Sequence, residues 1–134
     1  MAFDIKKTNL AEQAEAGYEF EVKLPDGSPT DFYITVRGNL SPKVKKFSKD
    51  LFNQLQLKEL QAKRKGKADQ PVDLDEAEET LVKSAVARIV TWKGLEDDGK
   101  VVEPTQENFV RIMTELDWVR KQVLDESDND ANFI

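Results

Sequence analysis

The spacing of apolar residues changes along the chain, and this change restricts the possible folds more than any other feature. Between Gly17 and Gly38 the apolar residues alternate with polar ones, in two runs separated by residues 25–30, which include two prolines and a glycine. Period two is typical of β-strands, and the turn-forming segment predicts a hairpin with a loop longer than two residues. An isolated hairpin is marginally stable in water, so its apolar face must pack on something else.

Beyond Gly38 the apolar residues recur every three or four positions, which is typical of helices. Ser41 and Pro42 provide an N-cap and a first helical residue. Three helices are predicted, over about residues 42–65, 74–92 and 105–125, with a tight turn at residues 97–100 between the last two. The predicted fold class is therefore mainly α (α+β), a three-helix core with an N-terminal β-hairpin.

A chain of 134 residues is expected to form a single domain, residues 1–134. We expect mobile segments at about residues 1–15, 63–72 and 126–134, where little burial offsets the entropy of ordering the chain. The core is expected to contain one set of apolar residues from the hairpin and from each helix: Phe20, Phe32, Ile34, Phe47, Leu51, Leu55, Leu81, Ala85, Ile89, Phe109, Ile112, Leu116 and Val119.

The sequence contains no cysteine and no histidine, which excludes many kinds of catalytic and metal site. Disulfides, thiolate or imidazole metal ligands, thiol nucleophiles and imidazole acid–base chemistry are all ruled out. The serines have no base to activate them, the paired carboxylates have no convergent partners, and no glycine-rich phosphate loop is present. We therefore expect a protein that is not an enzyme and that uses no cofactor and no metal.

Hydropathy gives no sign of a membrane segment or of a secretion signal. No apolar run approaches the roughly 18 residues that a membrane span requires, and residues 1–7 lack the apolar stretch of a signal peptide. We therefore expect a cytoplasmic protein with no membrane partner.

Charge is distributed unevenly along a chain whose net charge is −6. Residues 43–67 carry nine basic and two acidic side chains, whereas residues 96–134 carry four basic and eleven acidic ones. Three interpretations of the basic helix stay open: a solvated face, a contact with an acidic protein partner, or binding to nucleic acid. Nucleic acid is the least favoured, because the chain is acidic and no aromatic side chains are interleaved with the lysines.

Six residues are candidates for contact with a partner. The lysines supply charge, and the aromatic side chains can serve either as core residues or as interface anchors. The basic helix and the acidic C-terminal segment could also pair between copies in a homo-oligomer. The candidates are Lys45, Lys46, Lys49, Trp92, Trp118 and Phe133.

Several short motifs, in their order along the chain, resemble those of the tail assembly chaperones of long-tailed bacteriophages. The resemblance covers about residues 4–134 and depends on the order of the motifs. They are Gly17 with Pro25 and Gly27, then Ile34–Gly38, Ile89–Leu95, Asp98–Lys100, Pro104–Phe109 and Asn132–Phe133. Residues 39–41 depart from the family pattern, which has an acidic residue leading into a serine.

The resemblance implies a role without catalysis. Members of that family bind the tape measure protein, help recruit tail tube subunits in the host cytoplasm and are absent from the mature virion. Some are also made in a longer form by a translational frameshift. Two alternatives stay open beside this one: a small nucleic-acid-binding regulator that uses the basic helix 43–65, and a structural head or tail subunit.

Overall fold

The computed structural model describes residue 5 and residues 10–64 and 74–134 of the chain. Over this range the chain contains five α-helices, five β-strands in two sheets and a final 3₁₀-helix at Asp130–Phe133. In chain order the elements are α1 (Ala11–Ala16), β1 (Tyr18–Lys23), β2 (Pro29–Val36), α2 (Pro42–Arg64), α3 (Leu74–Arg88), β3 (Ile89–Lys93), β4 (Glu96–Asp97), β5 (Lys100–Val101), α4 (Gln106–Glu115) and α5 (Asp117–Asp128).

The N-terminal β-hairpin is present, which confirms that part of the fold prediction. Strands β1 and β2 are antiparallel, with Phe20 opposite Ile34. Phe20, Phe32 and Ile34 are all buried, so the alternation in the sequence marks the face that packs on the core.

The hairpin belongs to a larger sheet that the sequence pattern did not predict. Strand β3 lies antiparallel to β2, with Ile34 opposite Trp92, and the sheet order is β1-β2-β3. The second predicted helix was expected to continue to Trp92, but α3 ends at Arg88 and the next five residues form this strand. β-branched and aromatic residues dominate the sequence Ile-Val-Thr-Trp-Lys and favour a half-buried strand over a helix.

The predicted three-helix core is wrong, because the core contains four or more helices. The third predicted helix is interrupted at Leu116, whose φ of −114° and ψ of 80° are not helical. Helices α4 and α5 on either side of this residue each bury their own set of side chains, including Ile112 and Met113 on α4 and Val119 and Val123 on α5. Helix α1 was not predicted at all.

Three aromatic side chains form the centre of the core between the sheet and α4. Trp92 packs edge-on against Phe32 and Phe109, with ring centroids 5.7 and 4.8 Å apart. The indole Nε1 of Trp92 donates a hydrogen bond of 2.9 Å to the carbonyl of Val102, so its one polar group is satisfied. These contacts fix β3 against the loop that follows the β4–β5 turn.

The β4–β5 turn itself forms where the sequence predicted it. Asp97 pairs with Lys100, and the two residues between them, Asp98 and Gly99, have φ of 52° and 79°. Positive φ at both central positions is the geometry of a type I′ turn, which Asp-Gly favours.

Eight of the thirteen predicted core residues are buried, and five are not. Phe47, Leu51 and Leu116 are half-buried, whereas Leu55 and Leu81 are exposed. The remaining eight are buried: Phe20, Phe32, Ile34, Ala85, Ile89, Phe109, Ile112 and Val119.

The segments expected to be mobile fall only partly in the described range. Residues 1–4, 6–9 and 65–72 lie outside the described residues, while residues 10–15 fall on and just before α1. Residues 126–134 cover the last turn of α5 and the 3₁₀-helix, where Phe133 is buried with its ring 6.2 Å from that of Tyr18.

Within the described residues, no helix has the length and hydropathy needed to span a bilayer.

Candidate partner-binding surface

Helix α2 is anchored at its first turn by a small polar cluster. The Ser41 hydroxyl donates to the carboxylate of Glu15 and accepts a bond of 3.4 Å from the Val44 amide, which makes Ser41 the N-cap that its position before Pro42 predicted. Arg37 Nε contacts the same carboxylate at 3.2 Å, and Arg37 Nη1 donates to the carbonyl of Ile89. The cluster therefore ties α1, the end of β2 and the start of α2 together.

The electrostatics of this cluster favour an ionised Glu15. The hydrogen bond from Ser41, together with the bond and positive charge of Arg37, lowers the pKa of Glu15 below its usual value of 4.5. The charged carboxylate is thus the form that the folded chain stabilises.

Past its first turns, α2 leaves the core. Val44 is only 2% exposed, and Phe47 and Leu51 are half-buried, but every described side chain from residue 52 to residue 61 is exposed. Four of these exposed side chains are large and apolar: Phe52 (59% exposed), Leu55 (51%), Leu57 (58%) and Leu60 (54%). Scattered single apolar residues on a surface are ordinary, but four within nine residues of one helix leave more than one side of the helix with exposed apolar side chains that a partner can contact.

Helix α3 contributes the neighbouring part of this surface. Residues 75–79 at its start are exposed, and Leu81 is 46% exposed. Lys58 of α2 forms an ion pair with Glu76 of α3, and this bond raises the pKa of Lys58. We refer to residues 52–61 of α2 and 75–81 of α3 together as the arm, and to the rest of the described chain as the body.

Helix α2 is basic mainly in the part that precedes the arm, whereas the start of α3 is acidic. Five exposed lysines lie on α2, Lys43, Lys45, Lys46, Lys49 and Lys58, against two acidic residues between positions 43 and 61. Residues 75–81 of α3 carry four carboxylates and no cation. Two of these carboxylates are paired with cations outside the arm, Glu78 with Arg120 and Glu79 with Lys83.

The predicted partner-binding residues do not form one surface. Lys45, Lys46 and Lys49 are exposed on the part of α2 that precedes the arm. Trp92 lies in the aromatic core, and Phe133 is also buried. Both are therefore core residues in this structure and not exposed interface anchors. Trp118 on α5 is half-buried and packs against the edge of the core.

The sequence interpretation missed the exposed apolar residues as a binding surface. The sequence predicts one helical stripe of Val44, Phe47, Leu51, Leu55 and Leu60, with Phe52 and Leu57 broadening or flanking it. At 100° per residue, Phe52, Leu57 and Leu60 point well away from the first three residues of that stripe. One face of a helix cannot bury apolar residues that are spread around it in this way. This spread was the sequence signal for an exposed apolar surface.

Arg88 is a charged residue that is buried, and its contacts join separate parts of the fold. Its Nη1 donates to the Ser84 carbonyl at 2.9 Å, and its Nη2 lies 3.3 Å from Asn39 Oδ1. Asn39 in turn donates to Asp128 on α5. Burial lowers the pKa of Arg88, and the side chain links α3, the loop after β2 and α5.

The geometry of the exposed surface is suited to binding. Within the described parts of the chain, no group of three or more histidine, cysteine or acidic side chains is arranged to hold a metal ion. What the arm presents to solvent is a group of large apolar side chains together with the acidic start of α3.

Comparison with known proteins gives one match. The family model described as YdaY prophage protein matches residues 47–134, which include the arm and the body from α3 onward. No curated protein and no solved structure matches the chain. Because the model matches more than half of the sequence, the chain belongs to the YdaY prophage protein family and is of phage origin.

Proposed function

We propose that this prophage protein is a non-catalytic tail assembly chaperone that binds the tape measure protein and helps recruit tail tube subunits. The observation that carries the proposal is the exposed apolar surface of the arm, formed by Phe52, Leu55, Leu57, Leu60 and Leu81. The phage origin of the family and the order of the motifs along the sequence support the same role.

The arm has the properties that a helical client requires. An amphipathic helix binds a partner by laying its apolar side chains against an exposed apolar surface. Complete burial of a leucine or phenylalanine side chain contributes about 1.5–3 kcal/mol, so covering several half-exposed side chains provides affinity in the range of a reversible complex. The lysines in the first half of α2 can orient an acidic client, and the net negative charge of the chain keeps the complex soluble.

The test is co-purification with the tape measure protein of the same prophage, expressed together with this chain. We expect the wild-type chain to keep the tape measure protein soluble and to co-elute with it. The double variant Leu55→Ser with Leu60→Ser should lose this capacity, because a hydroxyl replaces the apolar contact on each residue. The matched control, Val101→Ser with Val110→Ser, changes two exposed apolar residues of the body and should behave as wild type.

Three results would contradict the proposal. These are an insoluble tape measure protein in the presence of the wild-type chain, equal co-elution with the arm variant, and loss of co-elution with the body control alone. Mass spectrometry of purified virions is a further check, because a chaperone is expected to be absent and a structural subunit present.

The exposed lysines of α2 favour a second candidate, a nucleic-acid-binding regulator. Lys43, Lys45, Lys46 and Lys49 lie close together on a helix and could neutralise phosphates. Such binding weakens steeply with salt, so retention on heparin or duplex DNA at low salt separates the two functions. We expect no retention, because the chain has a net charge of −6.

A further inference from the structure

The first half of α2 carries four exposed lysines that no acidic side chain neutralises. We refer to Lys43, Lys45, Lys46 and Lys49 together as the lysine cluster. None of them forms an ion pair within the described residues, and Asp50, the acidic residue next to them on the helix, is unpaired there as well. The positive charge of the cluster is therefore available to a partner.

Cations elsewhere in the described chain are mostly paired already. Those of the arm and the body that contact a carboxylate include Lys58, Lys83, Lys93, Arg111 and Arg120. Lys100 and Lys121 are exposed and unpaired, but they lie on separate elements, β5 and α5. Within the described residues, the lysine cluster is thus the one concentration of positive charge that the fold does not neutralise.

The position of the lysine cluster does not stabilise α2. The first turn of a helix carries the positive end of the helix dipole, where acidic side chains are favourable and basic ones are unfavourable. The first turn of α2 has no acidic side chain. The carboxylate of Glu15 lies near it but is already bound by Ser41 and Arg37. The stability of the helix therefore does not account for the lysines, whereas an acidic partner would.

The lysine cluster and the exposed apolar residues of the arm follow one another along α2. Lys45, Lys49 and Phe52 are four and three residues apart, and residues at these spacings lie on one face of a helix. Gln56 and Leu60 continue the same line, and all five side chains are exposed. A helix that lies along this face contacts positive charge at one end and apolar side chains at the other.

We propose that the client segment bound by this chain is a helix with acidic residues at one end and apolar residues after them, and that its acidic end lies on the lysine cluster. The proposal rests on the proposed function, because it specifies the client of the same surface. Charge complementarity gives the complex its specificity and fixes the direction in which the client lies.

The net charge of the chain favours an acidic polypeptide segment over two other anionic partners. Nucleic acid and a second copy are each strongly negative as a whole, and the net charge of −6 repels them. A short acidic segment brings only a few charges, all close to the lysines. The cluster also lacks arginine, the side chain that binds phosphate through two parallel hydrogen bonds.

The first experiment measures binding of the full chain to two synthetic peptides of about 20 residues that share one apolar helical stripe. One peptide has glutamates in its first two turns, and the other has lysines at the same positions. The wild-type chain should bind the acidic peptide roughly tenfold more tightly at physiological salt, although the chain itself is acidic. Fluorescence anisotropy of the labelled peptides gives both dissociation constants.

Charge reversal on α2 should reverse this preference. The variant Lys45→Glu with Lys49→Glu should bind the basic peptide more tightly than the acidic one, an outcome that loss of folding cannot produce. The matched control, Lys100→Glu with Lys121→Glu, changes the net charge by the same amount at two exposed lysines outside the cluster. It should keep the preference of the wild type.

Co-expression with the tape measure protein separates this inference from the proposed function. If the wild-type chain and the Lys45→Glu, Lys49→Glu variant keep that protein soluble equally well, the inference fails and the proposed function stands. If the wild-type chain leaves it insoluble, the proposed function fails, and the peptide measurements still decide whether this face of α2 binds an acidic helix.

Four results would each overturn the inference. Two come from the peptides: no preference of the wild-type chain for the acidic peptide, and an unchanged preference in the Lys45→Glu, Lys49→Glu variant. The third is tighter binding to duplex DNA than to the acidic peptide, which would make the cluster a nucleic-acid surface. The fourth is a dimer in sedimentation velocity that the same variant abolishes, which would make the cluster a contact between copies.

Discussion

The two halves of α2 share one continuous helix but have opposite surroundings. In the first half, Val44 is buried and Ser41 caps the helix inside a polar cluster with Glu15 and Arg37. In the second half, Phe52, Leu55 and Leu60 are exposed although they are as apolar as any core residue. Apolar residues in the body are buried and stabilise the fold, whereas those in the arm are exposed and, in the proposed function, contact the client. Substitutions in the two regions should therefore have different effects.

The largest effect is expected for Ile112→Ala in the body. Ile112 is buried on α4, and its truncation leaves a cavity that surrounding side chains fill only partly. We expect a loss of about 2–5 kcal/mol in the free energy of unfolding, measured by urea denaturation. The control is Val110→Ala on the same helix, where the side chain is exposed. A loss near zero for Ile112→Ala would mean that α4 is not packed on the sheet.

The next largest effect is expected for Gly94→Ala, just after β3. Gly94 has a φ of +85°, and an added Cβ would collide with the backbone carbonyl of Asp31 at the start of the neighbouring strand. Backbone strain alone costs on the order of 1–3 kcal/mol, and the collision adds to it.

The matched control for Gly94→Ala is Gly99→Ala in the β4–β5 turn. Gly99 has a similar φ of +79° but open space around it, so its variant carries only the backbone strain. We expect the Gly94→Ala variant to unfold at a lower urea concentration than the Gly99→Ala variant. Equal midpoints would show that β3 does not approach β2 closely.

A smaller effect, with a distinct pH dependence, is expected for Glu15→Gln. The pKa of Glu15 is lower in the folded chain than in the unfolded chain. Its contribution to the free energy of unfolding is therefore fully present above pH 4.5 and is lost as the pH falls through the pKa of the folded chain. The side chain is partly exposed, so we expect a loss of about 1 kcal/mol at neutral pH.

The pH profile of unfolding tests this contribution directly. Wild-type stability should fall more steeply below pH 4.5 than that of the Glu15→Gln variant, so that the two curves converge in acid. The control is Glu12→Gln, an exposed residue of α1, which should leave the free energy of unfolding at neutral pH unchanged. If the two curves stayed parallel, the ionised Glu15 would not stabilise the fold, and its role in anchoring α2 would be contradicted.

The smallest effect on stability is expected for Leu60→Ala in the arm. The side chain is exposed, and both leucine and alanine favour helix, so the free energy of unfolding should change by no more than about 0.5 kcal/mol. The measurement is urea denaturation at a protein concentration low enough to keep the chain monomeric. A loss as large as that of Ile112→Ala would show that the arm is packed against the body.

The sequence predicted the elements whose local signals agree with their packing. The hairpin followed from alternating apolar residues, the start of α2 from Ser41 and Pro42, and the β4–β5 turn from Asp98 and Gly99. In each case the preference of the local sequence and the tertiary structure favour the same conformation.

The missed features depend on contacts between distant parts of the chain. The change from helix to strand after Arg88 has no glycine or proline to mark it, and strand β3 exists because β2 pairs with it. The break at Leu116 also lacks a breaking residue and lets α4 and α5 pack on different parts of the core. On the candidate surface, the sequence identified α2 correctly as unusual in charge, but periodicity could not show where the helix leaves the core.

Amide hydrogen exchange of the free chain and of its complex with the tape measure protein tests most directly whether the arm is a binding region and the body a folding core. At a concentration that keeps the free chain monomeric, amides of residues 52–61 should exchange faster than those of β2 and α4. The tape measure protein should slow exchange at residues 52–61 and 75–81 and leave β2 unchanged. Slowing confined to the sheet, or none in the arm, would contradict this account.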